Sequence, residues 1–122
     1  MTTDDVEAAR AEAQAKGAAS FELRTRAATR EAFFDAAREG LPLDPPVLGS
    51  KSWDALADSI WAGLDGVGTR DVAIAWLGAS NFKELAPAEF HIAYEILKSL
   101  TERLSSWEAT DGEPKQITVL LE

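Results

Sequence analysis

The chain has 122 residues, 46% hydrophobic and 27% charged, which suits a single domain that buries a core without metal or disulfide staples. Its formal net charge of −9, from 21 acids against 12 bases, argues against nucleic acid or an anionic membrane as partner, since both demand clustered Lys and Arg. The same charge permits a basic protein as partner, drawn in by long-range attraction, though acidity alone also serves solubility. With no cysteine there is no disulfide framework, thiolate nucleophile or cysteine-ligated metal. No apolar run reaches membrane-span length and the first residues are acidic, unlike a signal peptide, so the expected location is the cytoplasm.

Residues 3–16 read as a short helix with acids in its first turn and Lys16 in its last, closed by Gly17. Its apolar side, Val6 and alanines, is thin, so the helix is marginal unless it docks. Residues 1–17 are therefore expected to be a helical extension, and 18–122 the main domain. Alternation through Phe21 and Leu23 predicts a strand over 20–26. Thr29 can cap a helix over 30–39 that buries Phe33, Phe34, Ala36 and Ala37, with Gly40 as its stop. Three prolines within 41–49 then impose a stiff loop, and Ser50 or Ser52 is the expected cap of the next helix.

That helix, 52–65, carries Trp53, Leu56, Ala57, Ile60 and Leu64 on one stripe. Asp54, Asp58 and Asp65 gather about 100–140° away, with Trp61 at the border. Asp54 and Asp58 are like charges at i and i+4, which costs a few tenths of a kcal/mol, roughly. Such a stripe fits either an ordinary solvated face or a docking face for a cationic partner.

The nearly continuous apolar run 71–77 predicts a strand buried on both faces, as in a parallel sheet. A turn over 78–81 and a short helical piece over 82–85 follow. A long helix from Pro87 to Ser106 presents Phe90, Ala93, Leu97, Leu100, Leu104 and Trp107 to the core, and His91, Glu95, Lys98 and Glu102 to water. After a polar turn, 116–121 is the last strand. Each crossover is too long for a hairpin and carries helix, so the class is α/β with parallel strands and right-handed connections.

Catalytic parts are not marked out. His91 is the sole histidine, the Gly66–Thr69 stretch lacks the Lys and helix of a phosphate loop, and no metal-ligand spacing occurs. No catalytic residue, metal or cofactor is expected; a small hydrolase would need a pocket in which His91 meets a carboxylate.

From about Ala19 onward the chain resembles the barstar family of intracellular ribonuclease inhibitors. The resemblance rests on the Gly49 turn into W-D-A-L-A-D-S-I (53–60), the apolar second strand with its tryptophan leading towards Phe82, the long helix, the terminal I-T-V-L-L strand and the proline-rich approach at 42–46. It implies a two-layer fold, a three-stranded parallel sheet packed with about four helices, to which the N-terminal helix is an addition. It also implies a non-enzymatic protein, monomeric when free, that plugs the active site of a basic ribonuclease with an acidic helix and its preceding loop.

Carried over by position, Asp58 matches the main anchor, Asp54 a second contact and Glu102 an acid reaching a peripheral arginine. Ala57 and Gly63 stand where the family pattern has tryptophans, and Val47 and Leu48 where it has an aromatic pair. Ser50–Lys51 adds a residue to the loop. The implied partner-binding set is Asp54, Asp58, Trp61, Glu102, Ala57, Leu48 and Gly49, with Trp61 supplying aromatic area at the rim. The alternative is an interaction module of the same fold whose target is another toxin or a regulatory protein.

Overall fold

The structure, a computed structural model, describes residues 3–49 and 52–122. Three strands, β1 (Ala19–Arg24), β2 (Asp71–Leu77) and β3 (Gln116–Leu121), form one sheet in the order β1-β2-β3. Both pairings are parallel, with Phe21 opposite Ile74 and Ile74 opposite Val119. The helices among the described residues are α1 (Thr3–Ala15), α2 (Arg30–Gly40), α3 (Trp53–Asp65), α4 (Ala79–Leu85) and α5 (Pro87–Leu104). The expected class, an α/β fold on a three-stranded parallel sheet with an added N-terminal helix, is the one observed.

The central strand β2 is buried on both faces, as its apolar run predicts. Val72, Ile74 and Trp76 enter the main core with α2 to α5, and Ala75 and Leu77 join Val6 and Leu120 on the other side. The helix over that second face is α1. Its one large apolar residue, Val6, is fully buried, because Ala73 and Ala75 let the helix lie close to the sheet. The Arg10 guanidinium also donates to Ser20 Oγ at 3.2 Å, tying α1 to β1. The marginal helix therefore meets the condition it needed, and docks.

Trp76 organises the main core. Its ring meets Phe33 at 5.1 Å, Phe82 at 5.5 Å and Phe90 at 5.2 Å, and its indole N–H donates to Thr25 Oγ1 at 3.1 Å, so a fully buried polar atom is satisfied. Thr29 caps α2 as expected, its hydroxyl accepting from Ala32 N at 3.0 Å. Gly40 has a different role from the expected stop. It is the last helical residue, the cap being Leu41, and a Cβ there would stand 1.7 Å from the Glu22 carbonyl oxygen. The position is glycine because helix and strand touch backbone to backbone.

The larger boundary differences from the sequence reading lie at β1, α4 and α5. β1 ends at Arg24, and α4 begins at Ala79 because Gly78, at φ +95°, turns the strand directly into helix. α5 ends at Leu104, and Trp107, assigned to its buried stripe, is 69% exposed. The chain turns away at Ser105 and reverses through Asp111 and Gly112, both at positive φ, so Trp107 covers Gly112 on the surface. That reversal delivers Lys115, whose N–H donates to Leu104 O at 2.6 Å. Lys115 is itself buried, its ammonium donating to the carbonyls of Val67 and of Thr69 and so pinning the turn ahead of β2.

Candidate protein-binding face

The face is built on α3 and the loop that leads into it. Ser52 is the helix cap, its hydroxyl accepting from Ala55 N at 3.3 Å; the other candidate, Ser50, and the extra residue proposed at Ser50–Lys51 lie outside the described residues. Leu56, Ile60 and Leu64 are fully buried, and Trp53 and Ala57 are half-buried at the edge of the stripe.

Ser59, not singled out in the sequence, is buried and acts as the clasp of the loop. Its backbone oxygen accepts from Asp44 N at 3.1 Å and its hydroxyl donates to Pro45 O at 2.5 Å. The only trace of this in the sequence is a hydroxyl among the core-side positions of the helix. Arg38 adds a bond from Nε to Val47 O at 2.6 Å, and Val47 is buried. Gly63 completes the attachment: a Cβ there would lie 1.6 Å from the Pro42 carbonyl oxygen. Held in this way, the loop presents Leu48, 81% exposed, and Gly49, at φ +76°, beside the start of α3.

Asp54 and Asp58 are exposed on the same side of α3, and Asp65 is half-buried at its last turn. Some acids elsewhere pair with bases, Glu7 with Arg10, Glu12 with Lys16, Glu22 with Arg24, Asp35 with Arg38, Glu39 with Arg26, and Asp71 with Arg70, while Glu95 and Glu102 on α5 have no such partner among the described residues. Among the described residues none of the three α3 carboxylates has such a partner. Several of the remaining cations are engaged away from them. Lys115 is buried on carbonyls, and Lys83 lies over Phe90 at 5.8 Å. Negative potential therefore persists on α3.

Trp61 is half-buried, its indole nitrogen enclosed without a hydrogen-bond partner among the described residues and its ring covered by the Arg103 guanidinium at 5.2 Å. Ala57 and Asp54 line an open groove of about 500 Å³ between α3 and α5, shared with His91, Ile92, Ile96 and Arg103. Arg103 and Ile92, on the flank of α5 next to α3, went unmarked in the sequence, because a helical pattern does not reveal which neighbour a flank will meet.

Glu102 is exposed on the other flank of α5, in a groove against β3 with Tyr94, Lys98 and Ile117. The structure thus brings Asp54, Asp58, Ala57 and Trp61 onto one helix face and sets Glu102 in a separate groove. His91 shares the first groove with Asp54 and Glu95 but is hydrogen-bonded to neither, and the described residues hold no cluster of potential metal ligands. No helix among the described residues is long and apolar enough to cross a membrane.

Parallel sheet, crossover helices and an acidic helix left without counter-charges together define a small α/β domain organised round one exposed helix. A family model described as Barstar (barnase inhibitor) matches residues 18–122, and the chain belongs to that family, one of protein inhibitors rather than enzymes, whose partner is a ribonuclease. The match begins after α1, so the helix over the second sheet face lies outside it. No curated protein and no solved structure matches the chain.

Proposed function

We propose that this chain binds and blocks the active site of a basic ribonuclease, or a ribonuclease-type toxin, through the α3 face. The observation that carries the reading is the pair Asp54 and Asp58, exposed and without counter-charge on a helix whose cap and loop are fixed in place. A ribonuclease holds its polyanionic substrate with Arg, Lys and His. Carboxylates presented at the same spacing take the positions of phosphates, form charge-assisted hydrogen bonds and offer no bond to cleave. The net charge of −9 steers the encounter, an effect of which the barnase–barstar pair is the familiar example.

Asp58 is the central anchor, Asp54 the second contact, and Ala57, Trp61, Leu48 and Gly49 the surrounding surface. Glu102, set apart on α5, is a peripheral contact. The inhibitor domain is 18–122, monomeric when free and acting in the cytoplasm of the cell it protects, with 1–17 an extension of the domain.

The test is inhibition and calorimetric binding against a panel of basic microbial ribonucleases. Asp58→Ala is expected to leave target cations buried and unpaired, weakening the complex by about 2–3 kcal/mol, roughly 30- to 150-fold. Asp54→Ala should cost less and Glu102→Ala least. Unchanged affinity for Asp58→Ala would remove Asp58 as the anchor. A second reading, the same face serving a target that is not a ribonuclease, is favoured by the small or aliphatic residues at Ala57 and Leu48. Failure of the whole panel to bind would select it.

A further inference from the structure

We infer that the groove between α3 and α5 is a specificity pocket, seating an apolar side chain that the basic partner carries next to the cations bound by Asp54 and Asp58. The inference deepens the proposed function and rests on it for the nature of the partner. The groove, about 500 Å³, falls within the range of about 300–1,000 Å³ typical of sites that hold a ligand group. Its lining is mainly apolar, with half-buried Trp53, Ala57 and Ile96 and the 39% exposed Ile92. Solvent-facing isoleucine beside half-buried tryptophan is surface that gains by being covered.

The charges at its edge fix the kind of occupant. Asp54 and Glu95 stand on the two walls, both exposed and without an ion pair among the described residues. The one guanidinium in the lining, Arg103, lies over Trp61, about two helical turns beyond Asp54. The end nearest the anchors is apolar below and carries the two carboxylates above, with the exposed His91 imidazole beside them. It complements a segment in which an aromatic or aliphatic side chain adjoins Arg or Lys, and repels one flanked by acids.

Ala57 controls access. It sits between Asp54 and Asp58 on the helix and contributes only a methyl to the groove, so a large side chain there would occupy the space from within. The aromatic contact that the family pattern places on the inhibitor is, on this reading, supplied by the partner.

The experiment titrates the ¹⁵N- and methyl-labelled full chain with blocked tripeptides Arg-Phe-Arg, Arg-Ala-Arg and Glu-Phe-Glu, followed by NMR. Arg-Phe-Arg is expected to bind roughly tenfold more tightly than Arg-Ala-Arg, the effect of partly burying one aromatic ring, and Glu-Phe-Glu not at all. The shifts should centre on the Trp53 indole and the methyls of Ala57, Ile92 and Ile96. Ala57→Trp, which fills the groove from within, should abolish the preference for Phe over Ala. Ile92→Ser, at an exposed position where folding is retained, should reduce the preference several-fold.

Equal affinity for the two Arg peptides, shifts outside the groove, or a preference undiminished by Ile92→Ser would overturn the inference. If the peptides discriminate and no ribonuclease binds, the ribonuclease reading fails and the pocket stands. If Asp58→Ala disables ribonuclease binding and the peptides do not discriminate, the pocket fails and the inhibitor reading stands.

Discussion

Gly63→Ala tests how the loop ahead of α3 is held. An added methyl would lie 1.6 Å from the Pro42 carbonyl oxygen and 2.5 Å from its carbon, both backbone atoms that no rotamer change can remove. The loop must retreat by about 1.4 Å to reach even the 3.0 Å limit of tight contact, and the retreat strains two bonds, Asp44 N to Ser59 O and Ser59 Oγ to Pro45 O. Overpacking of this kind costs about 1–3 kcal/mol, and each weakened bond about 0.5–1.5 kcal/mol. Replacing glycine by alanine inside a helix returns about 1 kcal/mol.

The net expectation is a loss of about 2 kcal/mol, or roughly 8 °C in Tm for a domain of this size. Urea unfolding followed by tryptophan fluorescence should show a lower midpoint at unchanged slope. Gly66→Ala is the control, since its methyl would find nothing nearer than 3.6 Å and should be nearly neutral. A Gly63→Ala protein as stable as wild type, with the amide shifts of 43 and 44 unmoved, would refute the close approach.

Three further outcomes follow from the packing. Lys115→Met removes the donor shared by the Val67 and Thr69 carbonyls and should cost about 1–3 kcal/mol, with faster amide exchange at 67–70; unaltered exchange there would contradict the pinning role. Val6→Ala deletes two methyls from the contact between α1 and the sheet, a loss of about 1–2 kcal/mol that should appear as faster exchange of α1 amides ahead of global unfolding. In α1, the hydrogen bond from Lys16 and then its charge hold the Glu12 carboxyl below its ordinary value, and Glu12 in turn raises Lys16. The Glu12 contribution is complete above the ordinary glutamate value and lost as pH falls through the lowered one. The Lys16 contribution is complete below the ordinary lysine value and lost as pH rises through the raised one. Glu12→Gln should flatten the acid-side change in α1 exchange, and an identical pH profile would exclude the pair as its source.

The glycine at position 63 has a structural cause in this chain. The position lies under Pro42, so the proline loop is closely attached to α3 where a large side chain would hold it off. Ala57 instead lines an open groove. Two positions on one helix, both small, thus do opposite things to the surface.

Local patterns were enough for the sheet and its helices. Period-two and period-3.6 repeats follow from backbone geometry within a few residues, so the three strands, the capped helices and the acidic side of α3 could all be read from spacing. Parallel pairing followed from crossover length. The resemblance ranked Asp58 above Asp54, and spacing alone left the two equal.

What needed the tertiary structure were the meetings of distant segments. Trp107 continues the apolar repeat of α5 in sequence but not in space, because the helix ends at Leu104 and the chain reverses. Gly40 and Gly63 read as a stop and a lost aromatic, yet each is a point where two backbones touch. Val6 looked too slight an anchor until Ala73 and Ala75 brought the sheet within its reach. Glu102 shares the wet side of α5 with residues that face α3, and only the packing of that helix sends it towards β3 instead. Counter-charge is decided in the same way: sequence counts the acids, but which of them keep their field depends on where the arginines come to rest, and on α3 none of the described ones rests beside a carboxylate.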